Sequence, residues 1–212
     1  MAAIAPTVTA TEPHAYREQM TRAAGFAKRI HIDIADGQLA PVKLLHPIHM
    51  WLPEGIECDV HVMFQQPLSI ERRLLDLKPD LVIFHSEADG DFYRLIQPYK
   101  KAGIRVGLAL LQQTSVETIA PVIQDLDHVL IFSGDLGHHG GHADLGLLDK
   151  AAALRALKPD LELGWDGGIN DTNARSLLDG GIDVLNVGGF IQRATNPQAA
   201  YDKLESILTA DR

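Results

Sequence analysis

Short runs of β-branched and other apolar residues recur along the chain every roughly 20–30 residues, each followed by a stretch whose apolar positions repeat with helical spacing. Candidate strands fall at Ile4–Thr9, Ile30–Ala35, Cys58–Met63, Leu81–Ser86, Arg105–Leu111, Val129–Ser133, Leu161–Trp165 and Asp183–Val187. Among the intervening segments, Pro13–Ala24 opens with a proline suited to a first helical turn, and Leu68–Asp76 carries a charged face. Asp171–Asp179 starts with an aspartate placed to cap a helix. Strands alternating with helices predict repeated βα units and a parallel sheet. Eight such units in 212 residues, with short loops and no linker, predict an α/β fold closed as a (β/α)8 TIM barrel, with an open doubly wound sheet as the alternative. Residues 1–212 read as a single domain, long enough for one sizeable core and short for two.

Composition narrows the setting without changing the fold. The chain is 46% hydrophobic and 22% charged, values of a globular protein rather than a disordered one. A net charge of −9 gives no positive field to gather polyanions, which argues against nucleic acid or an anionic membrane as a partner; a phosphorylated ligand has to be held locally. Cys58 is the only cysteine, so no intrachain disulfide forms, and it reads as a buried, inert thiol in a reducing cytoplasm. The opening Met1-Ala2-Ala3-Ile4-Ala5-Pro6 lacks a basic region, and its apolar run is too short for a signal peptide or membrane span.

In a barrel of this kind the chemistry sits at the C-terminal ends of the strands. The second candidate strand ends His31-Ile32-Asp33-Ile34-Ala35-Asp36-Gly37, and two-residue spacing puts His31 and Asp33 on one face, toward the barrel mouth. The third ends in Asp59-Val60-His61-Val62-Met63, bringing in His61, and the seventh in Trp165-Asp166-Gly167-Gly168, bringing in Asp166. A lone inward His or Asp is usually a hydrogen-bonded structural group. Two of each at the mouth form a plausible site for one divalent ion, Zn²⁺, Fe²⁺ or Mn²⁺, all of which accept mixed nitrogen and oxygen ligands. Two carboxylates on opposite sides of a substrate carbon can remove a proton from one face and return one to the other, while the metal stabilises the enediolate between; this is the equipment for epimerisation.

Glycine supplies the second theme. Gly137-His138-His139-Gly140-Gly141, Gly167-Gly168 and Gly188-Gly189 follow the sixth, seventh and eighth strands, where barrels frequently build phosphate sites from backbone N–H groups. His138, His139 and His142 are kept out of the metal set, because a flexible glycine-rich loop holds ligands poorly. His46 and His49, three apart on a predicted helix, read as packing or solvent-facing groups. His85, near a strand end, reads equally as a support for the site or as a buried hydrogen-bonded histidine.

These residues resemble the ribulose-phosphate 3-epimerase family from Ile4 almost to the C-terminus. Ile4-Ala5-Pro6-Thr7 is similar to the family's opening strand, with Thr for its usual Ser, and His31–Gly37 resembles its His-x-Asp-x-Met-Asp-Gly signature. His46-Pro47, Asp59–Met63, Phe84-His85-Ser86-Glu87, Gly107-Leu108-Ala109-Leu110 and Asp166-Gly167-Gly168-Ile169-Asn170 continue the resemblance in order. It implies an isomerase converting D-ribulose 5-phosphate to D-xylulose 5-phosphate, and a homo-oligomer. It implies one divalent ion (Zn²⁺, Fe²⁺, Mn²⁺ or Co²⁺) on His31, Asp33, His61 and Asp166, with Asp33 and Asp166 as the acid/base pair. It also implies a hydroxyl contact to substrate from Thr7, with His61 beside the substrate, and phosphate contacts from Gly137, His138, His139, Gly140, Gly167, Gly168, Gly188 and Gly189.

Several positions depart from the family pattern. Ala35 and Phe132 stand where methionines are expected, while Met63 is retained. Asp135–Gly141 loses a Pro and a Gln and gains two histidines; Ala40-Pro41-Val42 replaces Val-Pro-Asn, and Gly189 replaces a Ser. An altered substrate envelope raises two further readings: an epimerase or lyase for another ketose phosphate, such as a hexulose 6-phosphate, and a non-catalytic phosphosugar-binding barrel.

Overall fold

The computed structural model describes residues 2–138 and 140–209. Its strands are β1 (Ala3–Thr9), β2 (Arg29–Ala35), β3 (Glu57–Met63), β4 (Leu81–His85), β5 (Arg105–Leu110), β6 (His128–Phe132), β7 (Glu162–Asp166) and β8 (Val184–Val187). They form one closed barrel in sequence order, every neighbouring pair parallel and β8 pairing with β1. The expected TIM barrel is therefore the observed one, and every expected strand is present within one residue of its expected ends.

Strand alternation divides the side chains into two populations. Outward residues such as Ile32, Val60, Phe84, Leu108, Ile131 and Trp165 are fully buried under the surrounding helices and form the main core. Inside the barrel, Leu81, Ile83, Ala109 and Leu130 make a separate apolar cluster. The interior turns polar at the N-terminal end of the strands. There Arg29, with 6% of its side chain exposed, meets Asp59 at 2.7 Å and Glu162 at 2.8 Å, and His128 Nδ1 lies 2.8 Å from Glu162 Oε1. A buried guanidinium shared between two carboxylates closes the barrel floor and leaves the other mouth for chemistry. Asp59 belongs to that floor and not to the site above it.

The helices are α1 (Pro13–Ala24), α2 (Glu71–Leu77), α3 (Phe92–Lys101), α4 (Leu148–Leu157), α5 (Ala174–Asp179), α6 (Gly189–Gln192) and α7 (Pro197–Thr209). α1 has the expected bounds, with Pro13 in its first turn. The segment expected as a helix over Leu68–Asp76 begins instead as a 3-10 turn, Pro67–Ile70, and becomes α-helical only from Glu71. Asp171 does not cap α5: the helix starts at Ala174 with Asn173 before it, because Asn170 Oδ1 accepts from Thr172 N and Oγ1 and forms its own turn. Two connections carry 3-10 turns and no α-helix. Pro41, Pro47 and Pro53 interrupt the β2–β3 segment and Pro121 the β5–β6 segment, and proline removes the N–H a continuing helix needs. His46 and His49 are exposed in the first of these, where His46 Nδ1 accepts from Ile48 N. Cys58 is buried, and burial pushes its thiol pKa up to about 12, as suits an inert thiol. Among the described residues no helix is long and apolar enough to cross a membrane.

Candidate active site

The parallel register brings the four expected polar residues together. Asp33 pairs with His61 across β2 and β3, His31 lies two residues below Asp33 on the same face, and Asp166 ends β7. His31 Nε2 is 3.4 Å from Asp33 Oδ1 and 3.4 Å from Asp166 Oδ2, while His61 Nδ1 is 3.0 Å from Asp33 Oδ1. One ligand atom from each of the four residues lies within 4.8 Å of all the others. Donors about 2.1 Å from a tetrahedral Zn²⁺ sit roughly 3.4 Å apart, so the set fits a divalent cation. Both ring nitrogens of His31 are buried without a hydrogen-bond partner, and a cation at Nε2 would satisfy the one that faces Asp33 and Asp166.

Electrostatics agree with that fit. Burial alone would push the His31 imidazole down, but the facing Asp166 and Asp33 carboxylates outweigh it and raise the pKa to about 10. Burial opposes ionisation of Asp33, yet His31 and His61 hold its carboxyl well below the usual carboxylate range. Thr9 Oγ1 donates to Asp33 Oδ2 at 2.7 Å and fixes the carboxylate plane. The centre concentrates negative charge among largely buried side chains and stabilises positive charge placed there.

Behind His61 runs a line of buried contacts. His61 Nε2 lies 2.8 Å from His85 Nε2, and His85 Nδ1 lies 3.1 Å from Glu87 Oε2. Glu87 Oε1 accepts from Leu111 N at 3.0 Å and from Thr114 Oγ1. Burial and the nearby His61 lower the His85 pKa to about 4 against the pull of Glu87. Burial would raise Glu87, but His85, Thr114 and the Leu111 N–H outweigh it and lower its pKa to about 2. His85 is thus both the buried hydrogen-bonded histidine and the support for the site that the sequence left open.

Above the donors lies a cavity of about 160 Å³. Thr7, Asp33, Asp166 and Asn186 line its base, and Gly137, His138, Gly140, Gly167, Gly168, Gly188 and Gly189 line its walls. Every expected glycine therefore reaches one cavity, together with His138 and Thr7, whose Oγ1 is buried and has no hydrogen-bond partner. His139 lies outside the described residues. The Gly168 N–H donates to Gly140 O at 3.2 Å, so in this structure it is engaged between the two loops rather than facing the cavity. A Cβ on Gly168, at φ +70°, would meet Ala143 N at 2.1 Å; glycine is required there by close backbone approach. A Cβ on Gly137 would strike Val42 Cγ2 at 2.0 Å, so the replaced Ala40-Pro41-Val42 segment packs directly on the altered Asp135–Gly141 loop. Phe132, in place of an expected methionine, lines the cavity with its ring centroid 5.8 Å from that of His61. Ala35 instead packs beside Ala40, Leu44 and Met63.

The sequence reading missed Asn186 and Arg193, which also line the cavity. Asn186 left a signal, a lone amide in the apolar strand Val184–Val187. Arg193 left none, since its position follows from the turn after α6. Its guanidinium lies against Gly189, where a Cβ would come within 2.3 Å of Nη2.

A closed (β/α)8 barrel with a two-His, two-Asp donor set and a glycine-walled cavity at its carboxyl mouth has the build of a TIM-barrel enzyme, with the site where such barrels carry their chemistry. Residues 3–192 match the ribulose-phosphate 3 epimerase family, and the chain belongs to that family. It is 28% identical over 186 residues to a ribulose-phosphate 3-epimerase of Helicobacter pylori, covering 84% of this chain and 85% of that one. A protein of the same name from Rhodospirillum rubrum is 30% identical over 168 residues, covering 74% and 72%. The structure of 3-hexulose-6-phosphate synthase from Salmonella typhimurium is similar with a TM-score of 0.71 at 15% identity, over 97% of this chain and 98% of that one, a likeness of fold alone.

Proposed function

We propose that the chain is a metal-dependent epimerase acting at C3 of a phosphorylated ketose, interconverting D-ribulose 5-phosphate and D-xylulose 5-phosphate. The observation that carries the reading is the placement of Asp33 and Asp166 on separate strands, each 3.4 Å from His31 Nε2, at the base of one cavity. His31, Asp33, His61 and Asp166 would hold the ion, and the donor set suits Zn²⁺, Fe²⁺, Mn²⁺ or Co²⁺. When bound, such an ion offsets the negative charge that gathers on the substrate's oxygens as the C3 proton leaves.

Asp33, ionised and oriented by Thr9, takes the proton from one face of C3, and Asp166, reaching from β7, delivers one to the other face; the roles exchange for the reverse reaction. Thr7 presents its buried hydroxyl to the substrate beside His61. The phosphate sits among the loops of Gly137, His138, Gly140, Gly167, Gly188 and Gly189, with Gly168 letting two backbones pass and Arg193 adding a formal positive charge. His139 belongs to the same proposed loop. Family membership further supports one phosphosugar-binding domain over residues 1–212, working in the cytoplasm as a homo-oligomer.

Asp166→Asn tests the assignment, because an amide neither carries the proton nor binds a cation as well. Turnover of ribulose 5-phosphate should fall at least a hundredfold, or about 2.7 kcal/mol in barrier. Near-full activity in that variant would remove Asp166 from the mechanism, and strong turnover of a six-carbon ketose phosphate in place of ribulose 5-phosphate would reassign the substrate.

A further inference from the structure

Asn186 sits on β8, its Cα paired with Asp166 on β7 and with Ala5 on β1. It is 1% exposed, lines the cavity, and neither Oδ1 nor Nδ2 has a hydrogen-bond partner. An asparagine amide offers two N–H donors and a carbonyl acceptor, and burying all of it unpaired opposes folding. Asparagine is also a poor strand former, and its neighbours Val184, Leu185 and Val187 show what the strand otherwise favours. The cost serves nothing in the free protein. Thr7 Oγ1, on the neighbouring strand, is buried without a partner at the base of the same cavity. Two adjacent strands thus point unsatisfied hydrogen-bonding groups at one space, the arrangement of a site shaped around a polar ligand.

We propose that Asn186 is a substrate-recognition residue whose amide pairs with a hydroxyl on the carbon chain between the reacting carbon and the phosphate. Its register neighbour is Asp166, at the reacting end, and two residues further along the chain is Gly188, in the phosphate wall. A hydroxyl donates and accepts at once and so satisfies both ends of a side-chain amide. The identity of that hydroxyl rests on the epimerase reading: in a ketose 5-phosphate reacting at C3, it is the one on C4. A site built to pair with a hydroxyl discriminates strongly against the analogue that lacks it, because the amide is then left buried and unpaired.

The test compares the free-protein Tm and the steady-state kinetics on D-ribulose 5-phosphate of the full chain, Asn186→Val and Asn186→Ala. Replacing an orphan amide with a β-branched apolar residue should raise the Tm of Asn186→Val by about 2–4 °C. The same change should raise KM by about tenfold or more, with a smaller effect on kcat. Inhibition by inorganic phosphate, which has no such hydroxyl, should weaken far less than ketose binding. A fall in Tm in both variants with KM unchanged would overturn the proposal, since the amide would then be a structural group. Absence of wild-type turnover would instead count against the epimerase reading, and the free-protein Tm would still decide on Asn186: a rise keeps it as a ligand-directed group, a fall removes it.

Discussion

The line from Asp33 through His61 and His85 to Glu87 allows a detailed prediction for Glu87→Gln. His61 Nδ1 faces the donor cluster, so it must be unprotonated to hold a cation, which places the proton of neutral His61 on Nε2. That proton is donated to His85 Nε2 across 2.8 Å, which puts the His85 proton on Nδ1, facing Glu87 Oε2 at 3.1 Å. A carboxylate can accept at both oxygens, taking His85 on one and Leu111 N and Thr114 Oγ1 on the other. Glutamine replaces one acceptor with an NH2 donor. If that donor faces His85, the His85 proton moves to Nε2 and meets the His61 Nε2 proton, which drives His61 to the tautomer that cannot bind metal. If it faces Leu111, a buried N–H loses its acceptor, at about 1–3 kcal/mol. Loss of such a support typically weakens metal binding by about 10–100-fold. Chelator-competition titrations of the wild type and Glu87→Gln should show that loss, with His61→Ala marking the floor. The other orientation would show as a lower Tm instead, so equal metal affinity together with an unchanged Tm in Glu87→Gln would refute the tautomer argument.

Other consequences follow from the barrel floor and the glycine walls. Glu162 is partly buried, yet His128 and Arg29 outweigh the cost of that burial and hold its carboxyl well below the usual value of 4.5. Its unfolded form therefore takes up protons first, so the stability it contributes is present above pH 4.5 and is lost as pH falls toward the folded value. Glu162→Gln should cost about 3 kcal/mol at neutral pH and flatten the acid limb of a urea-melt stability profile, and an unchanged acid limb would contradict this account. Gly168→Ala forces a side chain at φ +70° into Ala143 N and His142 C, at 2.1 and 2.4 Å. It should cost roughly 2–4 kcal/mol, seen as a lower Tm, and weaken competitive inhibition by inorganic phosphate. Wild-type values of both would contradict the close approach.

The strands were legible because each is a compact apolar run bounded by turn residues, and period-two alternation was enough to aim His31, Asp33, His61 and Asp166 at one mouth. The connections were harder to read. Proline content decided that the β2–β3 and β5–β6 segments form 3-10 turns, and Asn170 rather than Asp171 shaped the entry to α5. At the site, what sequence spacing conveyed was direction, not pairing. That His61 meets His85, that Gly168 uses its N–H on Gly140, and that Arg193 folds back over Gly189 depend on distances across strands and loops. Asn186 could have been read from its own strand, where an unneeded amide interrupts an apolar run.

The proposed proton exchange at C3, by two carboxylates in a cation-dependent site, is read directly by NMR of ribulose 5-phosphate in D2O. Purified protein of measured metal content is followed before and after chelation, observing deuterium at C3 and the appearance of xylulose 5-phosphate. C3 deuteration should appear together with product, both lost on chelation and restored by a divalent ion. An absence of C3 exchange in demonstrably metal-loaded protein would contradict the proposed mechanism.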